Sequence, residues 1–192
     1  MAAPRIILAS ASPRRARILT ELGVSFRVKV TDVVETLLEG EAGAVAAERL
    51  ARAKAASAAD SETLPVLSAD TLVVCDGRAL GKPSSSAEAA AMLRLLAGRS
   101  HEVVTGVWLA ARGVVRSGVE RTQVAFAPMT AAEIEWYVAT GEPMDKAGGY
   151  HIDGRGAFFV ASVSGSPSNV AGLPIRLVLR LAREAGVDLG LP

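Results

Sequence analysis

The stretch Ser10-Ala11-Ser12-Pro13-Arg14-Arg15 decides the fold of this chain. The apolar run Ile6-Ile7-Leu8-Ala9 before it predicts a buried strand, and residues 16–23 after it place apolar side chains at helical spacing and end in glycine. Ser12 suits the N-cap of that helix, and Pro13 suits its first turn because proline has no N–H to leave unpaired there. The sequence therefore predicts a strand, a tight loop and a helix whose N-terminus lies beyond the strand end.

Two arginines occupy the first turn of this predicted helix. Acidic residues are usual there, because they complement the positive end of the helix dipole. The hydroxyls of Ser10 and Ser12, free backbone amides and the guanidinium groups of Arg14 and Arg15 together can hold the oxygens of a phosphate chain. A capped surface helix with solvated arginines explains the same residues, and this stretch alone does not decide between the two interpretations.

Composition narrows the classes of protein. The 192 residues are 50% hydrophobic, enough for one well-filled core or two closely joined lobes, and we expect a single domain over residues 1–192. A net charge of +1 argues against broad nucleic-acid binding. The short apolar run before Ser10 is neither a signal peptide nor a membrane span, so we expect a cytoplasmic protein. A single cysteine, Cys75, excludes an internal disulfide, and two separated histidines argue against a zinc site.

Asp70 and Thr71 lie in the middle of the strand-like run 65–75. Aspartate is rare in strands, and burial of its charge is costly unless a metal, a cation or several donors surround it. A structural hydrogen-bonding role is one explanation. A catalytic or metal-binding carboxylate fits the pattern better.

Three further charged residues are candidates for the same site. Glu35 follows a predicted strand at 25–30, where a loop carboxylate either reaches a cleft or is solvated. Lys54 lies among small residues in the predicted helix 41–59; these let it aim inward, although a solvated lysine is the commoner state. Lys82 has a glycine before it and a proline after it, which fix the backbone and suit a lysine that presents a point charge.

The rest of the chain predicts further elements of an α/β protein. Helices are expected to follow the capping-box patterns at Ser85 and Thr130, and a last helix ends near Gly186. Strands are expected at 103–109 and 123–126, separated by the glycine-bearing segment 113–118, and at 157–160.

Six separated segments carry a resemblance to a known family. They occur in the order and spacing of the Maf family, over nearly the whole chain: Ser10-x-Ser12-Pro13-Arg14-Arg15, Ala69-Asp70-Thr71, Leu80-Gly81-Lys82-Pro83, Met144-Asp145-Lys146-Ala147-Gly148, Gly154-x-Gly156 and Gly172-Leu173-Pro174.

Members of that family are nucleoside triphosphate pyrophosphatases related in fold to the inosine-triphosphate pyrophosphatases. The Asp145-Lys146-Ala147-Gly148 segment resembles the dTTP/UTP branch. The resemblance implies a curved mixed sheet flanked by helices, with a cleft between two lobes. It also implies hydrolysis of the α–β phosphoanhydride to a nucleoside monophosphate and pyrophosphate, with a divalent metal, Mg²⁺ or Mn²⁺.

The resemblance implies roles that the residues themselves can carry out. Asp70 is the catalytic proton acceptor, and Glu35 and Asp70 bind the metal. The phosphate chain is bound by Ser10, Ser12, Arg14, Arg15, Lys54 and Lys82.

Base choice is linked in the family with the positions of Arg14, Thr71 and Asp153. The dTTP/UTP branch usually has glutamine at the last of these, so the chain departs from its branch there. An ionised carboxylate accepts hydrogen bonds but cannot donate them, so it can meet a base N–H and not a base carbonyl. We therefore predict that Asp153 alters base preference.

A non-enzymatic, nucleotide-sensing regulator of cell division is the alternative function, because the Maf name is associated with inhibition of septum formation. Such a protein needs a phosphate site but no carboxylate aimed at water, so Asp70 favours the enzyme. We expect a nucleoside triphosphate as the ligand, with no nucleic-acid or membrane partner. A homodimer is one assembly that the sequence allows.

Overall fold

The computed structural model describes residues 3–59 and 62–191. The strands are β1 (Ile6–Leu8), β2 (Phe26–Val28), β3 (Val66–Cys75), β4 (Arg78–Leu80), β5 (Ser100–Ala111), β6 (Val114–Phe126) and β7 (Val160–Ser164). The helices are α1 (Pro13–Glu21), α2 (Gly43–Ala59), α3 (Ser86–Leu96), α4 (Ala131–Ala139), α5 (Pro167–Val170) and α6 (Ile175–Glu184). Three short 3-10 segments lie at Glu142–Asp145, Ala147–Gly149 and Arg155–Phe159. No helix within the described ranges is both long and apolar enough to cross a membrane.

One mixed sheet runs through the protein in the order β2-β1-β3-β5-β6-β7, with β4 paired to β3. Strand β1 is parallel to both β2 and β3, because α1 and α2 return the chain in the same direction. The other neighbouring strands are antiparallel. This sheet, with helices packed on it, confirms the predicted α/β class.

Alternation along β1 places apolar cores on opposite faces of the sheet. On one face, Ile6 and Leu8 pack with Leu19 of α1 and Leu181 of α6. On the other face, Ile7 belongs to a core with the alanines of α2. These cores form the first lobe.

The second lobe forms around the distal half of β3. Val73 and Cys75 lie in a core with Leu93 of α3 and Ile134 of α4. Cys75 is buried there as a free thiol.

Between the two lobes, the sheet has a gap beside the middle of β3. Strand β1 pairs with β3 only as far as Leu67, and β4 pairs with it from Val73 onward. Residues 68–72 are therefore paired with β5 alone. Because successive side chains of a strand point to opposite faces, Asp70 and Thr71 border this gap from the two sides of the sheet.

Helix α2 lies very close to β5, because the residues at the contact are small. Ala46 and Ala47 of the helix are buried. A β-carbon at Gly106 of β5 would stand 2.5 Å from backbone atoms of Ala47 and Glu48, so a larger residue would push the helix away. This contact sets the depth at which α2 carries its side chains into the protein.

Two strand predictions differ from the structure. Strands β5 and β6 form one long hairpin whose turn is Arg112–Gly113, where both residues have positive φ. Residues 114–118 therefore belong to β6 and do not separate two strands. Residues 155–159 form a 3-10 segment, and β7 begins only at Val160.

Candidate active site

The gap beside β3 opens into a cavity of about 560 Å³, a volume typical of small-molecule sites. The sequence-predicted residues that line it are Ser10, Ser12, Arg14, Arg15, Glu35, Lys54, Asp70, Thr71 and Lys82. They come from the β1–α1 loop, the first turn of α1, the segment before α2, α2 itself, β3 and the segment after β4. Asp153 is exposed in a turn and is not part of this lining.

A buried ammonium joins the two predicted metal-binding carboxylates. Lys54 Nζ lies 2.6 Å from Glu35 Oε1 and 2.5 Å from Asp70 Oδ1. The Lys54 and Asp70 side chains are 8% and 7% exposed, whereas Glu35 is 36% exposed and also binds Lys82 Nζ at 3.0 Å. Of the two alternatives for Lys54, the structure therefore shows the inward-facing one.

The two carboxylates differ in acidity. Burial by itself would raise the pKa of Glu35, but hydrogen bonds and positive charge from Lys54 and Lys82 outweigh it and lower that pKa to about 2. Deeper burial raises the pKa of Asp70 above its ordinary value, although Lys54 and Arg15 oppose the shift. The site thus holds one strongly acidic carboxyl group and one that is a better proton acceptor.

Arg15 is buried and fully committed to neutral protein oxygens. It donates from Nε to Gly172 O at 2.7 Å, from Nη1 to Ser10 Oγ at 3.1 Å and from Nη2 to Thr71 Oγ1 at 3.0 Å. Within the described ranges it makes no ion pair, and burial lowers its pKa. Arg15 therefore brings a buried positive charge to the cavity and ties α1, β3 and the loop before α6 together.

Arg14 is in a different state from its neighbour. Its guanidinium has no hydrogen-bond or ion-pair partner in the part of the chain that the structure describes, and it lines the cavity. Burial lowers its pKa, while the carboxylates of Asp145 and Asp153 oppose that change. The carboxylate of Asp153, although outside the lining, is thus close enough to favour the charged form of Arg14.

The helix N-terminus forms where the sequence places it, with one difference. Ser12 is the N-cap of α1 and Pro13 its first residue, but the Ser12 side chain makes no capping hydrogen bond. Its backbone N–H donates to Ser10 Oγ at 3.1 Å. Ser12 and the first three residues of α1 line the cavity.

Sequence reasoning missed Tyr150, which lines the cavity. Its hydroxyl is 2.9 Å from Nε2 of buried His101, and burial lowers the pKa of that histidine to about 4. The signal that could have found Tyr150 is the pair Gly148–Gly149 just before it, where positive φ turns the chain back toward β3.

The carboxylate oxygens of Glu35 and Asp70 are of the kind that hard divalent cations take as ligands. No group of three or more His, Cys, Asp or Glu side chains suited to a metal occurs in residues 3–59 and 62–191. Glu35 and Asp70 nevertheless accept hydrogen bonds from one ammonium, so their oxygens converge on a single cationic position. Mg²⁺ commonly takes one or two protein carboxylates and completes its shell with water and phosphate oxygens.

Known proteins resemble this chain in sequence and fold. It is 49% identical to a dTTP/UTP pyrophosphatase of Anaeromyxobacter dehalogenans over 97% of each chain, and 49% identical to a dTTP/UTP pyrophosphatase of Moorella thermoacetica over 96% of this chain and 97% of that one. The Ham1 protein of Staphylococcus aureus shares the fold with a TM-score of 0.52 at 14% identity, over 93% of this chain and 96% of that chain. The model of the Maf-like proteins matches residues 5–185. The chain therefore belongs to the Maf family.

Proposed function

We propose that this protein hydrolyses nucleoside triphosphates at the α–β phosphoanhydride and releases a nucleoside monophosphate and pyrophosphate. The observation that carries the proposal is the convergence of the Glu35 and Asp70 carboxylates and four cationic side chains on one cavity beside the gap in the sheet. A triphosphate needs cations along its chain, and its hydrolysis needs a group that accepts a proton from water. The names of the family members support dTTP and UTP as the first substrates to test.

The phosphate chain would lie between the N-terminus of α1 and Lys82. Arg14 has no competing protein partner among the residues described, so it can offer its full set of donors to phosphate oxygens. Lys82 is half exposed and, among the residues that the structure describes, binds Glu35 alone, which suits it to reach a ligand from the solvent side. The hydroxyl groups of Ser10 and Ser12 and the first backbone amides of α1 would supply neutral hydrogen-bond donors. Arg15 would add positive charge from the buried side of the cavity.

Asp70 would accept the proton of the attacking water. Its raised pKa makes it a better base than an ordinary aspartate, and its place in the middle of β3 fixes its position. Glu35 and Asp70 would hold Mg²⁺ or Mn²⁺, which supplies charge neutralisation and an acidified water when it is bound. Most of the acceleration is expected from positioning and charge neutralisation.

The test is hydrolysis of a panel of nucleoside triphosphates by the full chain with Mg²⁺, including dTTP, UTP, CTP, ATP, GTP and ITP. Phosphate should appear only when inorganic pyrophosphatase is added, because cleavage between the α and β phosphates releases pyrophosphate. Phosphate release without that enzyme would indicate cleavage at the γ phosphate instead.

Hydrolysis of a triphosphate also distinguishes the two candidate functions, an enzyme and a nucleotide-sensing regulator. Binding of a triphosphate without hydrolysis of any member of the panel would favour the regulator. Repeating the panel with Mn²⁺ and with a chelator tests the need for a metal.

A further inference from the structure

The position of Lys54 between two carboxylates has a consequence for how the site is assembled. Glu35 belongs to the loop before α2, Asp70 to β3 and Lys54 to α2, so three separate parts of the chain meet at one ammonium. Carboxylates brought this close repel each other unless a cation lies between them. In the protein without ligand, that cation is Lys54.

We propose that Lys54 occupies the place of the divalent cation until a nucleotide arrives, so that the metal binds well only together with the triphosphate. This inference rests on the proposed function and concerns the order in which the site fills. The Lys54 ammonium and a divalent cation need the same pair of oxygens, and two cations cannot share them without strong repulsion.

The triphosphate removes this competition by giving Lys54 another partner. Lys54 lines the same cavity as Arg14 and Lys82, so its flexible side chain can turn from the carboxylates to a phosphate oxygen. Glu35 and Asp70 are then left with a net negative charge that favours the metal. Because the coupling is an equilibrium property, the metal must strengthen nucleotide binding by the same factor as the nucleotide strengthens metal binding.

Lysine suits this exchange better than arginine. An ammonium is a compact point charge on a four-carbon chain, whereas a guanidinium binds a carboxylate through a rigid pair of donors. Arg15 shows the contrast within the same cavity, since its planar group is held by three separate oxygens and acts as a fixed part of the fold.

Mn²⁺ binding tests the proposal without any turnover. The free Mn²⁺ signal in electron paramagnetic resonance gives the affinity of the full chain for Mn²⁺ alone and with a thymidine triphosphate whose α–β bridging oxygen is replaced by NH, once the Mn²⁺ that this nucleotide binds without protein has been measured and subtracted. For the unmodified protein, we expect the nucleotide to tighten Mn²⁺ binding by about tenfold or more, within the usual range of coupling between sites. Equal affinities with and without the nucleotide would overturn the proposal.

Lys54→Met adds a direct test. Without nucleotide, it should bind Mn²⁺ at least about tenfold more tightly than the unmodified protein, and the gain should shrink when the nucleotide is present. Lys82→Met is the matched control, because Lys82 also binds Glu35 but is 54% exposed and does not contact Asp70. Without nucleotide, this control should change Mn²⁺ affinity by less than about threefold.

A folded Lys54→Met protein that binds Mn²⁺ no more tightly than the unmodified one would refute the inference. If this variant does not fold, Lys54→Gln, which also removes the positive charge, is measured in its place. Hydrolysis of the panel is scored separately: turnover without Mn²⁺ coupling refutes only this inference, and coupling without turnover refutes only the proposed function.

Discussion

The floor of the cavity, formed by Arg15, Lys54 and Asp70, differs from its rim, formed by Arg14 and Lys82. On the floor, each charge is buried and held by protein partners in the free state. At the rim, Lys82 is 54% exposed with one partner, and Arg14 has none within the described parts of the chain. Burying a charge without a partner costs far more than leaving it in water, so the floor must be complete before any ligand binds. Changes to the floor should therefore affect both stability and chemistry, and changes to the rim should affect only the ligand.

The largest effect is expected from Asp70→Asn on the floor. Asparagine keeps the size of the side chain but cannot accept the proton of water, so kcat should fall by about 10³-fold or more. The nonhydrolysable thymidine nucleotide should still bind, as measured by calorimetry. The melting temperature should also fall, because buried Lys54 loses one of its two carboxylate partners. Near-normal turnover by a folded variant would remove Asp70 from the chemistry.

Buried His101, which contacts Tyr150 and Phe126 in the second lobe, should make stability depend on pH. Its pKa is lowered by burial from 6.5 to about 4, so below pH 6.5 the unfolded chain takes up a proton that the folded protein refuses. Stability is therefore lost as the pH falls from 6.5 to about 4, by about 3 kcal/mol from this group.

Urea unfolding across that pH range measures the loss, and His101→Phe should remove this part of it. His151, the other histidine, is partly exposed near Arg14 at the rim and provides the matched control. His151→Gln should leave most of the pH dependence in place. The same slope in the His101→Phe protein would contradict the prediction.

At the rim, Lys82→Ala should lower kcat/KM for the best triphosphate by about 10- to 100-fold, since a charge-assisted contact to a phosphate is worth about 1.5–3 kcal/mol. The melting temperature should stay nearly unchanged, because Lys82 is half exposed and Glu35 keeps its bond to Lys54. An unaltered kcat/KM would show that Lys82 does not bind the phosphate chain. A large drop in stability would contradict the expected difference between floor and rim.

The smallest effect on rate is expected from Asp153→Gln. An amide can donate a hydrogen bond to a pyrimidine carbonyl, so the preference for dTTP and UTP over purine triphosphates should shift. The maximal rate on the best substrate should stay within about tenfold, or about 1.4 kcal/mol of barrier. Comparing kcat/KM for each triphosphate in both proteins checks this, and an unchanged ranking would leave Asp153 only its electrostatic effect on Arg14.

Local sequence patterns predicted the parts of the site but not how the parts face one another. The strand–loop–helix junction at Ser12 and the charged residue inside β3 follow from local rules of capping and burial. The gap beside β3 depends on where β1 stops pairing and β4 starts, and those contacts join segments far apart in the chain.

The different roles of the two adjacent arginines also depend on contacts between segments far apart in the chain. Arg14 and Arg15 look alike in sequence, yet only Arg15 meets the carbonyl of Gly172, which lies in a loop close to α6.

The prediction that the glycine-bearing segment separates two strands is wrong for residues 114–118. Glycine is typical of turns, and the sequence does not show when a glycine lies inside a strand because a packing partner needs the space. A β-carbon at Gly118 would lie 3.0 Å from Leu177 of α6.

The close approach of α2 to β5 at Gly106 makes the reactive centre sensitive to a position that carries no functional group. A lysine side chain has a fixed reach, and the helix that bears Lys54 is held against the sheet by the absence of a single methyl group. The smallest residue in the strand thus works as a spacer that sets the distance between ammonium and carboxylates. A larger residue at position 106 would therefore displace Lys54 from the carboxylates, although Gly106 does not line the ligand cavity.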